Sequence, residues 1–104
     1  MKAVVCEQLG PPETLVVKDI EAASAKAGEV VISVKAAALN FFDTLIIEGK
    51  YQYRPECPFS PGAEIAGVIK SIGPDVTGFA AGDRVIAYLG WGGVRQEVVA
   101  SVER

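Results

Sequence analysis

Few side chains in this 104-residue chain have the chemistry for a reaction, and none of them is a histidine. A Ser-His or Cys-His nucleophilic dyad is therefore excluded within these residues. A zinc site would need Cys6, Cys57 and carboxylates without any imidazole, which is a poor ligand set for that metal. The side chains that remain are polar and aromatic, and they include Asn40, Asp43 and Tyr51.

A short helix is expected to position two of these side chains. Asn40 can cap a helix over residues 41–48, since an Asn side chain satisfies the free N–H groups at a helix start. Gly49 is suited to end that helix. Asp43 is expected to fix the local structure of the helix start, with a direct functional contact as the alternative. For Asn40 a structural cap and a functional contact are both open, and they are compatible.

Tyr51 follows this helix directly. A phenol there could stack on a ring, or donate a proton or hydrogen bond. The alternative is a surface aromatic residue, because residues 50–61 contain three prolines and must form a loop. Tyr53 is a weaker candidate for the same role.

The elements around the helix are predicted to be short strands separated by glycine and proline turns. The most regular strand covers residues 29–38, in which Val30, Ile32, Val34 and Ala36 alternate onto one face. Residues 2–8 and 14–20 are predicted to pair like a hairpin. Further strands are expected over residues 62–72, 84–89 and 94–102.

Many short strands and one short helix indicate a mainly β domain, either a partly open β-barrel or a sandwich. A length of 104 residues amounts to one small domain. Residues 101–104 are a strand-like stretch without a closing turn, so we expect the domain to be incomplete, a truncated piece of a longer protein. Half of the residues are hydrophobic, which is consistent with a surface that further protein covers.

Composition disfavours several classes of partner. The formal net charge is −3 and the ten basic residues are scattered, which disfavours nucleic acid. The most apolar stretch, residues 36–47, is interrupted by Asn40 and Asp43 and is too short to span a bilayer. No secretory signal precedes the first strand, so we expect a cytoplasmic protein in which Cys6 and Cys57 are reduced thiols.

Three segments carry a resemblance to a known family. They are AAALNFFD at residues 36–43, FSPGAEIAGVI at residues 59–69, running on to Gly73, and GDRV at residues 82–85. In this order and spacing they resemble the catalytic domain of the medium-chain dehydrogenase/reductase superfamily, and the resemblance covers essentially the whole chain. It implies that residues 1–104 are an incomplete GroES-like alcohol dehydrogenase N-terminal domain, a partly open β-barrel without the Rossmann domain.

Two departures from the zinc-dependent members of that superfamily decide the subgroup. Those members have a cysteine ligand where Asn40 stands and a histidine where Ala63 stands. An amide and a methyl group cannot hold zinc as a thiolate and an imidazole do. The chain is therefore similar to the zinc-free quinone oxidoreductase group, which includes the zeta-crystallin-like proteins, and no metal site is expected.

The resemblance implies the substrate-side domain of a zinc-independent NAD(P)H-dependent quinone oxidoreductase, with NADPH as the cofactor of the full-length enzyme. This chain alone is expected to be inactive and not to bind NADPH. In such relatives the protein mainly places the nicotinamide against the acceptor in a cleft between two domains. By resemblance, Asn40, Asp43 and Tyr51 contact the cofactor, and Tyr51 is also the catalytic residue. The implied partners are a small-molecule quinone or activated enone, and a second copy in a full-length homodimer.

Two alternatives remain open. The same residues would serve an enoyl or acrylate-type reductase of the same superfamily. A stand-alone, non-catalytic GroES-like interaction module is the alternative from another class. The abrupt end and the high apolar content disfavour that module, because a complete module should close and cover its own sheet.

The glycine clusters are not expected to bind a dinucleotide. Gly62 and Gly67 flank Glu64 and no helix pattern follows them. Residues 90–93 lack a third glycine, since Arg95 stands in its place, and they lack the helix that a dinucleotide fingerprint requires.

The remaining polar and aromatic features are expected to be structural. Glu64 lies in an apolar strand and would need a partner if buried, for which Arg84 is the candidate. Trp91 is expected to pack in the domain or to line the rim of a cleft. Cys57 is expected to be a bystander thiol.

Overall fold

A computed structural model describes residues 1–52 and 54–102, which form six strands, one α-helix and a 3-10 turn. Tyr53, the weaker tyrosine candidate, and the last two positions of the predicted final stretch, Glu103 and Arg104, lie outside the described residues. The elements in chain order are β1 (Lys2–Val5), the 3-10 turn (Pro12–Thr14), β2 (Val16–Asp19), β3 (Glu29–Ala38), α1 (Phe41–Ile47), β4 (Glu64–Ile72), β5 (Arg84–Tyr88) and β6 (Glu97–Ser101).

The larger of two antiparallel sheets has the strand order β5-β4-β3-β6. In β3, Val30 lies opposite Ile72 of β4 on one side and Ala100 of β6 on the other. The main core covers one face of this sheet and consists of buried aliphatic side chains from all four strands: Val30, Ile32, Ile65, Ile69, Ala87, Val98 and Ala100. The predicted mainly β, partly open architecture with one short helix is confirmed.

The strand β3 has the predicted bounds, but its alternation breaks after Val34. The register with β4 shifts between Val34 and Ala36, which is the mark of a β-bulge. The extra residue exchanges the two faces of the strand, so Ala36 is exposed and Ala37 packs against the core. The prediction that Ala36 shares the core face is therefore wrong, because side-chain alternation assumes an unbroken ladder.

The smaller sheet pairs β1 with β2, as the predicted hairpin requires. Both strands are shorter than predicted. The pairing of β1 with β2 ends at Val5. The next residue, Cys6, pairs with Phe59, through N–H···O bonds of 2.6 and 3.2 Å. Thr14 belongs to the 3-10 turn, where its backbone N–H and its hydroxyl both donate to the carbonyl of Pro11.

The segments before β4 and β6 pair with each other instead of extending these strands. The N–H groups of Gly92, Gly93 and Val94 donate to the carbonyls of Ser60, Gly62 and Pro61, respectively. These crossed bonds explain why β4 begins at Glu64 and β6 at Glu97, later than predicted.

The suggested pairing of Glu64 with Arg84 is wrong. Glu64 is exposed and lies opposite Tyr88, whereas Arg84 lies opposite Val68 at the other end of the β4–β5 ladder. Exposure removes the need for a partner, since water solvates the carboxylate.

Candidate functional site

The helix α1 begins at Asn40, the predicted capping residue, whose backbone is extended with φ −123° and ψ 161°. The carboxylate of Asp43 accepts the backbone N–H of Asn40 at 2.8 Å, and the N–H of Asp43 donates to the Asn40 carbonyl at 3.0 Å. The bond from the Asn40 N–H to the Asp43 carboxylate is the Asp43 half of a capping box, and it satisfies a donor that a helix start leaves free. The helix ends as predicted, since Gly49 adopts a left-handed φ of 73°.

Asp43 also ties the helix start to the approach to β4. Its side chain is 5% exposed, and its second oxygen accepts the backbone N–H of Gly62 at 3.3 Å. Gly62 has a φ of 102°, a backbone conformation that favours glycine. The neighbouring Ala63 is fully buried. The Asp43 carboxylate therefore joins the backbone of Asn40 to that of Gly62, the residue before Ala63.

The side chain of Asn40 has an unused donor. Its Nδ2 atom is buried and has no hydrogen-bond partner within the described part of the chain. A buried N–H without a partner costs about 1–3 kcal/mol, so a water molecule, an ion or a ligand commonly satisfies such a group. The amide therefore has hydrogen-bonding capacity for a ligand, and the cap is made by the backbone and by Asp43.

Tyr51 lies against the same helix. Its ring packs on that of Phe42, with centroids 5.7 Å apart and an angle of 31° between the planes. Both rings border a small second core, the helix cluster, which consists of the buried residues Cys6, Ile46, Ile47 and Phe59 and the partly buried Leu15, Phe42 and Tyr51. Tyr51 is therefore a half-buried, packed side chain and differs from the freely exposed loop aromatic of the alternative interpretation.

A large cavity lies elsewhere in the described part of the chain. Its volume is about 600 Å³, and it is lined by the 55–60 loop and β6. Trp91, for which packing in the domain and a cleft rim were both open, lines it together with Arg95. Asn40, Asp43 and Tyr51 are absent from its lining. The predicted site is thus a surface at the helix start and does not coincide with this cavity.

A model of the alcohol dehydrogenase GroES-like domain matches residues 26–103 of the chain. The chain belongs to that family. A quinone oxidoreductase-like protein 2 homolog from Nematostella vectensis is 42% identical over 93 residues, which are 88% of this chain and 25% of that protein. The human synaptic vesicle membrane protein VAT-1 homolog-like protein superposes with a TM-score of 0.93 at 33% identity, over 99% of this chain and 33% of its own.

An NADPH complex of Escherichia coli quinone oxidoreductase is also similar to this GroES-like domain, with a TM-score of 0.91 and 29% identity. The match covers 99% of this chain and 32% of the E. coli protein. The chain thus spans about a quarter to a third of the length of these relatives. The predicted resemblance to the quinone oxidoreductase group of the medium-chain dehydrogenase/reductase superfamily is confirmed.

The GroES-like domain contains one buried polar pair that the sequence did not reveal. Arg95 donates to the hydroxyl of the fully buried Ser60, from Nη2 at 2.9 Å and from Nε at 3.3 Å. Partial burial lowers the pKa of the Arg95 guanidinium, because desolvation disfavours the charge. The two residues are 35 positions apart, so only the crossed pairing of the two glycine segments could have indicated their contact.

The described residues were also searched for a membrane-spanning helix and for a cluster of metal-binding side chains. None of the helices in the described part of the chain has the length and apolarity to cross a membrane. Residues 1–52 and 54–102 bring together no three His, Cys, Asp or Glu side chains able to hold a metal ion.

Proposed function

We propose that this domain is the substrate side of an NADPH-dependent oxidoreductase that reduces quinones by hydride transfer. Support comes from the names of its relatives and from the NADPH complex of the similar E. coli protein. The observation in this chain that carries the proposal is the buried amide nitrogen of Asn40 at the start of α1, which has no hydrogen-bond partner among residues 1–52 and 54–102. In this proposal a nucleotide-binding domain lies outside residues 1–104. Further residues outside this range complete the GroES-like domain.

The side chains at positions 40 and 63 favour chemistry without zinc. Asn40 offers a neutral amide and the buried Ala63 offers only a methyl group. Neither group replaces a thiolate or an imidazole as a zinc ligand. A carbonyl in such a site receives no Lewis-acid polarisation from these positions, so an acceptor that is already activated, such as a quinone, fits best.

Each candidate residue has a distinct proposed task. NADPH, when bound, supplies the hydride. The free Nδ2–H of Asn40 donates a hydrogen bond to the cofactor or the substrate. Asp43 holds Asn40 in place through the 2.8 Å bond to its backbone, which favours a positioning role over the direct cofactor contact that the resemblance implies. Tyr51 contacts the cofactor and donates a proton or hydrogen bond to the reduced oxygen from its phenol.

Kinetics of the full-length protein test these assignments. Asn40→Ala and Tyr51→Phe should each lower kcat/KM for NADPH-dependent quinone reduction, by about tenfold for one lost hydrogen bond and up to ~100-fold for a lost proton donor. Val17→Ala is the control, since Val17 is exposed on the small sheet, where it pairs with Val4. Unchanged kinetics in both site variants would remove the assignments.

A substrate panel tests the activity itself. Quinones should be reduced faster than simple enones and enoyl thioesters. A preference for the enoyl substrates would favour the enoyl or acrylate-type reductase, and no NADPH oxidation with either class would refute both. We also propose that the full-length protein is a zinc-independent, cytoplasmic homodimer. Activity that survives extensive dialysis against a chelator, and a dimer mass in solution, are the expected results.

A further inference from the structure

The two cysteines of the chain are brought together by the fold. Cys6 directly follows β1 and forms an antiparallel bridge with Phe59, with N–H···O distances of 2.6 and 3.2 Å. Cys57 precedes Phe59 by two residues, on the segment that this bridge holds against β1. Because Cys6 and Phe59 are paired, Cys57 lies next to Cys6 in the fold, and it raises the pKa of the Cys6 thiol.

The environments of these two thiols differ strongly. Cys6 is fully buried in the helix cluster, and its Sγ donates to the carbonyl of Gln8 at 3.2 Å. Cys57 is exposed. Burial first, and then the neighbouring Cys57, raise the pKa of Cys6 from 9.0 to about 11. This change lowers the thiolate fraction of Cys6 at neutral pH about a hundredfold.

This asymmetry gives the two cysteines different reactivities. A reagent from solution reaches Cys57, while the buried Cys6 is shielded from it and is held beside the Cys57 segment by its pairing with Phe59. We propose that Cys57 and Cys6 form a modification site for low-molecular-weight disulfides, in which Cys57 reacts first and Cys6 then closes a Cys6–Cys57 disulfide. The inference does not depend on the proposed reductase activity.

The chemistry consists of two thiol–disulfide exchanges. The Cys57 thiolate attacks one sulfur of the small disulfide, whose S–S bond breaks, and the leaving thiolate takes up the Cys57 proton. Cys6 then gives up its proton and attacks Cys57 Sγ, and the second small thiol leaves with that proton. Two protein thiols lose two electrons in total, and the small disulfide is reduced to two thiols.

The first exchange facilitates the second. Cys57 in a mixed disulfide has no ionisable thiol, so the repulsion that helps to raise the pKa of Cys6 is lost. Cys6 then becomes easier to deprotonate, although burial still opposes its charge. The resulting bond would join the end of β1 to the 55–59 segment inside the helix cluster, against which Tyr51 packs.

Peptide mapping of the full-length protein tests the proposal. The reduced protein is treated with oxidised glutathione, quenched with N-ethylmaleimide and digested with trypsin without reduction. Tryptic cleavage places Cys6 in residues 3–18 and Cys57 in residues 51–70, because the Arg54–Pro55 bond resists trypsin. We expect a cross-linked pair of these peptides, preceded by a transient glutathione adduct on Cys57.

Two variants separate the steps. Cys6→Ala should accumulate the glutathione adduct on Cys57, and Cys57→Ser should show neither an adduct nor a cross-link. Cys57 is exposed, so its variant is expected to fold even if loss of the buried Cys6 is not tolerated. A stable Cys57 adduct in the wild type, an adduct on Cys6 in Cys57→Ser, or no reaction of the wild type would each overturn the proposal.

Discussion

At the scale of single residues, the carboxylate of Asp43 bridges two backbone N–H groups, those of Asn40 and Gly62. Asp43→Asn keeps one acceptor oxygen but turns an NH₂ group towards one of these donors. The loss of a buried acceptor costs about 1–3 kcal/mol, so the free energy of unfolding should fall by that amount in urea titrations. A shift of the helix start in this variant should also lower the proposed quinone reduction by the full-length protein.

Asp83→Asn is the matched control for this change. Asp83 also accepts a backbone N–H three residues away, that of Ala80 at 2.9 Å, but it is exposed. Asparagine forms such turns too, so the expected loss is about 0.5 kcal/mol or less. Equal losses in the two variants would show that the burial of the Asp43 bridge is unimportant.

The thiol of Cys6 makes a second residue-scale prediction, a loss of stability at alkaline pH. Its folded pKa of about 11 lies above the ordinary 9.0, so the folded state retains the proton that the unfolded chain releases. The protonated Cys6 thiol therefore stabilises the folded state by on the order of 2 kcal/mol. This stabilisation is fully present below about pH 9 and is lost as the pH rises through about 11.

Comparison with Cys6→Ala isolates this contribution from other groups that titrate in the same range. The wild type should lose more unfolding free energy between about pH 8.5 and 11 than Cys6→Ala loses. Cys57→Ser should show an intermediate loss, because Cys57 is the second cause of the raised pKa, after burial. Parallel stability curves for the wild type and Cys6→Ala would contradict the assignment.

At the scale of elements, β3 and β4 approach closely where Gly67 lies against Ser33. A Cβ atom at position 67 would collide with the Ser33 carbonyl oxygen and would lie 2.7 Å from the side chain of Ile32. Gly67→Ala should therefore force the two strands apart and lower the free energy of unfolding by about 2–3 kcal/mol or more. Thermal unfolding followed by circular dichroism measures the loss.

Gly78→Ala separates a collision from backbone strain. Gly78 has a left-handed φ of 84°, but nothing lies within 4 Å of an added Cβ there. The expected cost is the strain alone, about 1 kcal/mol. A loss in Gly67→Ala no larger than in Gly78→Ala would mean that the strands separate easily.

The elements were predictable from the sequence where their signals are local. The apolar alternation of β3, the cap at Asn40 and the glycine at position 49 gave β3 its bounds and the helix its start and end within one residue. The bulge after Val34 was not predictable, because it depends on how β4 pairs with β3. For the same reason the starts of β4 and β6 were wrong, since the crossed bonds between residues 60–62 and 92–94 join distant segments.

At the scale of the whole molecule, the contacts of the candidate site that join distant segments were also not predictable from the sequence. The sequence indicated Asn40, Asp43 and Tyr51 as candidates, and the structure places all three on or against α1. It did not indicate that Asp43 would reach Gly62, that Arg95 would reach Ser60, or that Cys6 and Cys57 would meet. Each of these contacts spans at least nineteen positions, and chain folding alone brings the partners together.

The last prediction concerns residues 1–104 as a unit, which should not bind NADPH. The backbone N–H groups of residues 92–94 donate to carbonyls of residues 60–62. These N–H groups are therefore not available to bind a pyrophosphate. Trp91 is the only tryptophan, so its fluorescence can be followed while NADPH is added. The signal should fall only because NADPH absorbs light, and free N-acetyltryptophanamide should show the same loss. The full-length protein should show saturable binding under the same conditions. Saturable quenching of Trp91 in residues 1–104 alone would mean that this domain holds a nucleotide site of its own.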